Sequence, residues 1–245
     1  NGRGNWIARV AEDSQRVFLY AAAEPFTFAK TNGLTVYKDG SLFACDFGVN
    51  AILRISPAGK SERLAADCNG APFHRPNDLA FDRKGYPYFT DPNAYDRNKR
   101  DGVVYRLDIK TRQVKAVATD LAFPNGIAFA ADGKTVMIGE SALNRVLQFT
   151  VRKDGSLSDR RVFAELPGGD PDGMAFDRKG CLYVAHFGGG AVYVFNPDGS
   201  VNRTIATPGK RPSNVEFGGP RLDTLFLTET ETNAIYKLEV DTPGL

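Results

Sequence analysis

Arg75-Pro76-Asn77-Asp78-Leu79-Ala80-Phe81-Asp82-Arg83-Lys84-Gly85-Tyr86-Pro87-Tyr88-Phe89-Thr90-Asp91 has one internal plan: a polar anchor, a short apolar run, a Lys-Gly turn and a second apolar run. The plan recurs from Thr31 to Asp46, Pro124 to Glu140, Pro171 to His186 and Ser213 to Glu229. The polar anchors Asn32, Asn77, Asn125, Asp172 and Asn214 lie 45, 48, 47 and 42 residues apart, the period of one four-stranded propeller blade. Glycine tolerates the positive φ of a tight hairpin, so Asp39-Gly40, Lys84-Gly85, Asp132-Gly133 and Lys179-Gly180 read as turns joining the two inner strands of each blade. Second hairpins follow, such as Ala51 to Ile55 with Glu62 to Leu64, or Val103 to Leu107 with Val114 to Val117. These are the outer strands. No stretch sustains a helical apolar period between a cap and a glycine stop. The predicted fold class is therefore all-β, a six-bladed β-propeller forming a single domain over residues 1–245.

Only five complete inner hairpins are visible. Trp6 to Val10 followed by Arg16 to Tyr20 matches an outer hairpin, so the chain opens halfway through a blade. Ala234 to Val240 reads as a third strand with no fourth after it. Exposed strand edges invite aggregation, so some closure is required. Either the first blade's inner hairpin precedes Asn1, or five blades close on the opening segment; six blades is the expectation carried forward.

With 42% hydrophobic and 24% charged residues and a formal net charge of +2, the composition is that of a globular protein without the basic clustering of nucleic-acid binders. No run approaches the roughly 20 apolar residues of a membrane span, and no signal-peptide pattern opens the sequence. The expected partner is thus a small molecule, with no nucleic acid and no membrane, for a monomer or weak dimer. The cytoplasm is favoured over a periplasmic or secreted location reached through a targeting segment upstream. Cys45, Cys68 and Cys181 are odd in number and lack metal-ligand spacing, so they read as free thiols.

The anchors precede the innermost strands and so ring one mouth of the predicted channel. A ring of Asn and Asp side chains supplies the oxygen ligands that a hard cation such as calcium takes. A lone Asn at such a position is a turn residue bonding its own backbone, the reading given to Asn32 and Asn214 taken singly. Only Asp172 among the anchors is charged, so a second carboxylate is expected from the missing hairpin. His74 and His186 are too few and too separated for a histidine zinc site. No Gly-x-Ser-x-Gly elbow is present, so the local signature of a serine hydrolase is missing.

Arg75-Pro76-Asn77-Asp78 with Tyr88-Phe89-Thr90-Asp91-Pro92, Pro124-Asn125-Gly126-Ile127-Ala128-Phe129 and Pro171-Asp172-Gly173-Met174-Ala175-Phe176-Asp177 resemble the gluconolactonase family, which includes regucalcin (senescence-marker protein) and luciferin-regenerating enzyme. The resemblance runs from about residue 31 to residue 240. It implies a six-bladed propeller that hydrolyses sugar lactones with one divalent metal, held by a first-blade Glu, an Asn and an Asp. Carried over, Asn125 and Asp172 are the metal ligands, Asn77 lines the substrate site and Arg75 contacts substrate oxygens. The first-blade Glu has no match; Glu24 is a weak stand-in. The metal implied is calcium, with zinc, manganese, magnesium and iron as alternatives.

The expected mechanism has the metal polarise the lactone carbonyl, Asp172 accept a proton from the attacking water, and Arg75 position the polyol tail. Asp78 is read as a loop-fixing residue. Two other functions stay open: a non-enzymatic propeller binding a protein or small ligand, and a metal-free enzyme of the strictosidine-synthase type. The polar anchors count against the latter.

Overall fold

The computed structural model describes residues 6–11, 14–20 and 29–245. In chain order the strands are β1 (Trp6–Ala11), β2 (Ser14–Tyr20), β3 (Thr31–Val36), β4 (Leu42–Asp46), β5 (Ala51–Ile55), β6 (Ser61–Ala65), β7 (Asp67–Cys68), β8 (Ala71–Pro72), β9 (Leu79–Phe81), β10 (Pro87–Asp91), β11 (Gly102–Leu107) and β12 (Val114–Leu121). They continue as β13 (Pro124–Phe129), β14 (Thr135–Glu140), β15 (Arg145–Val151), β16 (Leu157–Glu165), β17 (Asp170–Phe176), β18 (Leu182–Phe187), β19 (Ala191–Phe195), β20 (Val201–Ala206), β21 (Pro212–Gly218), β22 (Thr224–Glu229) and β23 (Ala234–Glu239). Four sheets run in simple sequence order as antiparallel meanders of four strands: β3 to β6, β9 to β12, β13 to β16 and β17 to β20. A fifth, β21 to β23, has three strands, while β1–β2 and β7–β8 are two-stranded hairpins. The fold is all-β, of the propeller class, with five blade sheets among the described residues. No helix among them is long and apolar enough to cross a membrane.

The turns form for the reason the sequence suggests. Gly40, Gly85, Gly133 and Gly180 have φ of 81°, 85°, 64° and 81°. Each donates its N–H to the carbonyl three residues earlier, at Tyr37, Asp82, Ala130 and Asp177. A type I turn closed by a left-handed glycine gives the bulged hairpin suited to strand twist.

The residues group into two compact units, 1–91 with 105–116, and 92–104 with 117–245. In the first, Ile7 of β1 is buried with Ala44, Ala51, Leu53 and Ile55 of the β3–β6 sheet. Tyr37, Phe43 and Phe81 form one aromatic cluster, and Phe73, Phe89 and Tyr105 another. In the second unit, the strand period of two divides the β17–β20 sheet between two neighbours. Met174, Phe176, Leu182, Val184 and Phe195 pack on Ala128, Met137, Val146 and Phe163 of the preceding sheet. Ala175, Tyr183, Ala185, Val192 and Val194 pack the other way, on Val215, Phe217, Leu225 and Leu227. Full burial of each large apolar side chain contributes roughly 1.5–3 kcal/mol. Cys45 is buried, Cys68 and Cys181 are partly exposed, and all three are free.

One feature of the repeats carries no apolar signal. The second strand of each copy carries Asp46, Asp91, Glu140, His186 or Glu229 at its end, or one residue before it for His186, and all five side chains are buried. Asp46 accepts the backbone N–H groups of Ala29, Lys30, Gly48 and Val49 at 2.8–3.1 Å. Asp91 accepts those of His74 and Arg75, Glu140 that of Ala122, and Glu229 those of Arg211, Glu231 and Thr232. Each carboxylate ties down the chain leading into its inner strand.

Removal of one such acid strands several part-buried donors, each costing at most about 1–3 kcal/mol. Asp46→Ala is expected to destabilise the fold by about 3 kcal/mol or more, read from the urea midpoint at unchanged slope, with Asp46→Asn losing less.

Candidate functional site

The anchors stand where each inner strand slips out of its ladder. Thr31 pairs with Asp46 and Leu34 with Ala44, so Asn32 and Gly33 together face the single residue Cys45. The same bulge sets Asn125 and Gly126 between the pairs Pro124–Glu140 and Ile127–Ile138. It sets Asp172 and Gly173 between Pro171–His186 and Met174–Val184. At the second copy the Asn77 N–H donates to the Thr90 carbonyl, and the Thr90 N–H donates to the Asp78 carbonyl. A bulge re-aims a side chain away from the sheet faces. It is what turns these residues from strand positions into a possible site.

Register corrects the fifth anchor. Pro212 pairs with Glu229 and Asn214 with Thr228, so the extra residue is Ser213. Asn214 occupies the position that Gly126 and Gly173 hold in the preceding copies. The sequence misleads here because the copy lacks the glycine that marks the anchor elsewhere. The Ser213 hydroxyl is 2.9 Å from that of Thr228, so it is spent on its own hairpin.

In the first unit, Asn32 Nδ2 donates to Asn77 Oδ1 at 2.9 Å, fixing the Asn77 carboxamide. Arg75 is exposed. Its backbone N–H is held by Asp91 at 2.7 Å, and its guanidinium makes no hydrogen bond or ion pair with the described residues. His74 Nδ1 lies 3.5 Å from Asp91 Oδ2. Burial pushes the Asp91 carboxyl up, against the lowering effect of the His74 and Arg75 N–H groups.

In the second unit, a Cβ on Gly126 would collide with the Asp172 carbonyl oxygen, and one on Gly173 with the Asn214 side chain. Glycine after the anchor thus lets consecutive inner strands touch backbone to backbone. This puts Asn125, 9% exposed, and the half-buried Asp172 on adjoining strands. The Ser141 hydroxyl donates to the Pro171 carbonyl at 2.8 Å, and Asn144 Nδ2 donates to the Gly169 carbonyl, so the approach to Asp172 is held from two sides. Glu140 is engaged with Arg145 Nε at 2.6 Å and with the Ala122 N–H. His186 is buried and donates through Nε2 to the Gly168 carbonyl, a loop-holding role.

Tyr95 and Asp170 carry no repeat signal in the sequence, yet their side chains meet. The Tyr95 hydroxyl donates to Asp170 Oδ1 at 2.7 Å, and its ring stands edge-on to Phe123 with centroids 5.1 Å apart. Burial pushes the Asp170 carboxyl up, while the Tyr95 hydrogen bond acts downward. Partial burial, then the Asp170 hydrogen bond and charge, push the Tyr95 phenol up to about 12. Glu24 lies outside the described residues.

Among the described residues, no group of three or more His, Cys, Asp or Glu side chains is placed to hold a metal ion. Asn125 and Asp172 nevertheless fit a hard divalent cation in kind, as a neutral and an anionic oxygen donor on adjoining strands. They are fewer than such a cation takes from protein.

Residues 6–231 match the family described as the SMP-30/Gluconolactonase/LRE-like region. The chain is 34% identical to a 6-deoxy-6-sulfogluconolactonase of Pseudomonas putida over 70% of this chain and 60% of that protein. It is 31% identical to the diisopropyl-fluorophosphatase of Loligo vulgaris over 81% of this chain and 68% of that protein. The solved gluconolactonase of Xanthomonas campestris superposes with a TM-score of 0.83 at 32% identity, covering 98% of this chain and 80% of that one. The chain therefore spans about 60% of the length of the Pseudomonas relative. With the bulged Asn125 and Asp172 motifs in place and the match extending over nearly the whole sequence, the chain belongs to the SMP-30/gluconolactonase/LRE-like family.

Proposed function

We propose that this chain carries the site of a lactone hydrolase of gluconolactonase type, acting with one divalent cation held by Asn125 and Asp172. The observation that carries the reading is the close approach of the Asn125-Gly126 and Asp172-Gly173 bulges, which gives two oxygen donors from consecutive sheets. The names of the relatives support the substrate class: a sulfogluconolactonase and a gluconolactonase are both among them. Calcium is the cation that an all-oxygen set suits best, with zinc, manganese, magnesium or iron as alternatives. A divalent cation at such a site supplies Lewis acidity and acidifies water.

The chain's own residues supply the rest. The Asp172 carboxylate accepts a proton from the attacking water, a role that needs an ionised oxygen on a fixed backbone. Hydrogen bonds to the carbonyls of Gly169 and Pro171 provide that fixity. Arg75 offers its N–H donors to hydroxyl or carboxylate oxygens of a sugar acid, and Asn77, oriented by Asn32, offers an amide. The β1–β2 hairpin, with Ile7 buried on the β3–β6 sheet, belongs to the same reading as the outer half of a sixth blade.

Asp172→Ala is expected to lower kcat/KM for D-gluconolactone by about a thousandfold, the scale of losing a general base, with the thermal midpoint little changed. Retained activity in a folded variant rules the assignment out. Dialysis against chelator is expected to abolish hydrolysis, and calcium to restore it. Metal analysis should find close to one equivalent in the wild type and less in Asn125→Ala; full activity in chelator would contradict the cation.

A further inference from the structure

Tyr95 touches the residues two positions ahead of both candidate ligands. Its ring lies against Phe123, which precedes Pro124-Asn125, and its hydroxyl binds Asp170, which precedes Pro171-Asp172. The loop between β10 and β11 that carries it therefore reaches across the starts of β13 and β17. Within this unit Tyr95 stands against the residues that lead into Asn125 and Asp172, and it is 58% exposed.

Asp170 is unusual for a half-buried carboxylate. The buried acids Asp46 and Glu229 each satisfy both oxygens, and Glu140 does so through Ala122 and Arg145. Asp170 accepts one hydrogen bond at Oδ1, from Tyr95, while Oδ2 has no hydrogen bond from the described residues and no Lys or Arg forms an ion pair with it. A carboxylate oxygen that no protein group engages keeps its lone pairs for a ligand hydroxyl. The Tyr95 hydroxyl has spent its proton on Asp170, so its oxygen presents acceptor lone pairs alone. Two acceptors side by side, with an apolar ring edge behind them, match two neighbouring hydroxyl groups on one carbon chain.

We propose that Tyr95 and Asp170 form a hydroxyl-binding subsite that selects polyhydroxylated lactones over unsubstituted ones. One substrate hydroxyl donates to Asp170 Oδ2 and its neighbour to the Tyr95 oxygen; no bond is made or broken. The subsite explains how a site whose chemistry requires only a lactone carbonyl favours a sugar lactone. It rests on the lactonase reading for its substrate, and on the Tyr95–Asp170 geometry for its place.

The test compares kcat/KM for D-gluconolactone with that for δ-valerolactone, which has the ring and no hydroxyls. Tyr95→Phe keeps the ring against Phe123 and removes the phenol oxygen; Asp170→Asn keeps the shape and removes the charge. Each is expected to lower the gluconolactone-to-valerolactone ratio by about tenfold, mostly through KM, the scale of losing a hydrogen bond to a charged group. A merely structural role moves both substrates alike and leaves the ratio fixed, which overturns the proposal. Should the wild type hydrolyse neither lactone, the lactonase reading fails, and the subsite is then read by calorimetric binding of D-glucitol. Binding by the wild type that weakens about tenfold in both variants supports it; no binding, or equal binding by all three, overturns it.

Discussion

A backbone N–H that leaves a β-ladder inside a protein must find another acceptor, and that constraint shapes every copy of the repeat. The two-residue bulge that frees each anchor also strands the chain leading into the inner strand. In four copies a carboxylate at the end of the second strand collects those stranded donors: Asp46, Asp91, Glu140 and Glu229. The acid stands opposite the residue just before the anchor, as in the pairs Thr31–Asp46, Pro124–Glu140 and Pro212–Glu229. The staple and the bulge are one device. Without the buried acid the chain before the anchor keeps its carbonyl bonds, as at Lys30, Phe123 and Arg211, but its N–H groups lose their acceptor.

Glycine then decides how closely consecutive copies approach. The residue after the anchor points toward the next sheet. Where it is glycine, at Gly33, Gly126 and Gly173, the neighbouring strand fills the space a Cβ would take. A Cβ on Gly33 would stand 2.5 Å from Asp78 Oδ1. Asp78 and Asn214 show the complementary choice: a polar side chain at the same register position, seated against the glycine of the preceding copy. The Asn-Gly and Asp-Gly pairs are thus packing signals as much as site signals, and the packing is what makes ligands on successive strands neighbours.

The parts of this arrangement that follow from local chemistry were legible in the sequence. Gly40, Gly85, Gly133 and Gly180 name their turns, alternating apolar residues name their strands, and Asn125 and Asp172 sit in motifs that keep their spacing. The parts that depend on register were not. Ser213 and Asn214 differ by one residue, and only the pairing of Asn214 with Thr228 separates them. The buried acids close four of the five repeats in plain view, yet an Asp at a strand end reads equally as a solvated turn residue until its burial is known. Tyr95 and Asp170 are 75 residues apart, joined by a loop path that no periodicity encodes.

The fourth copy departs from the others in a way that bears on the site. His186 takes the place of the acid, and it donates to the Gly168 carbonyl where the carboxylates accept N–H groups. Hydrogen-bond polarity is reversed, so the loop must turn a carbonyl inward. Gly168 and Gly169, with φ of 66° and 67°, supply two consecutive left-handed residues that make this possible. Gly189 follows from the same choice, because the imidazole occupies the space its Cβ would need. The electrostatic consequence falls on Asp170. An acid at 186, paired with Pro171 across the ladder, would add a buried negative charge beside that carboxylate and disfavour its ionised form. A histidine carries no negative charge, and its field acts on Asp170 in the opposite sense, lowering its carboxyl. The copy that carries the only acidic anchor is thus the copy in which the structural acid is absent, and one substitution settles both the loop's hydrogen bonding and the charge around the site.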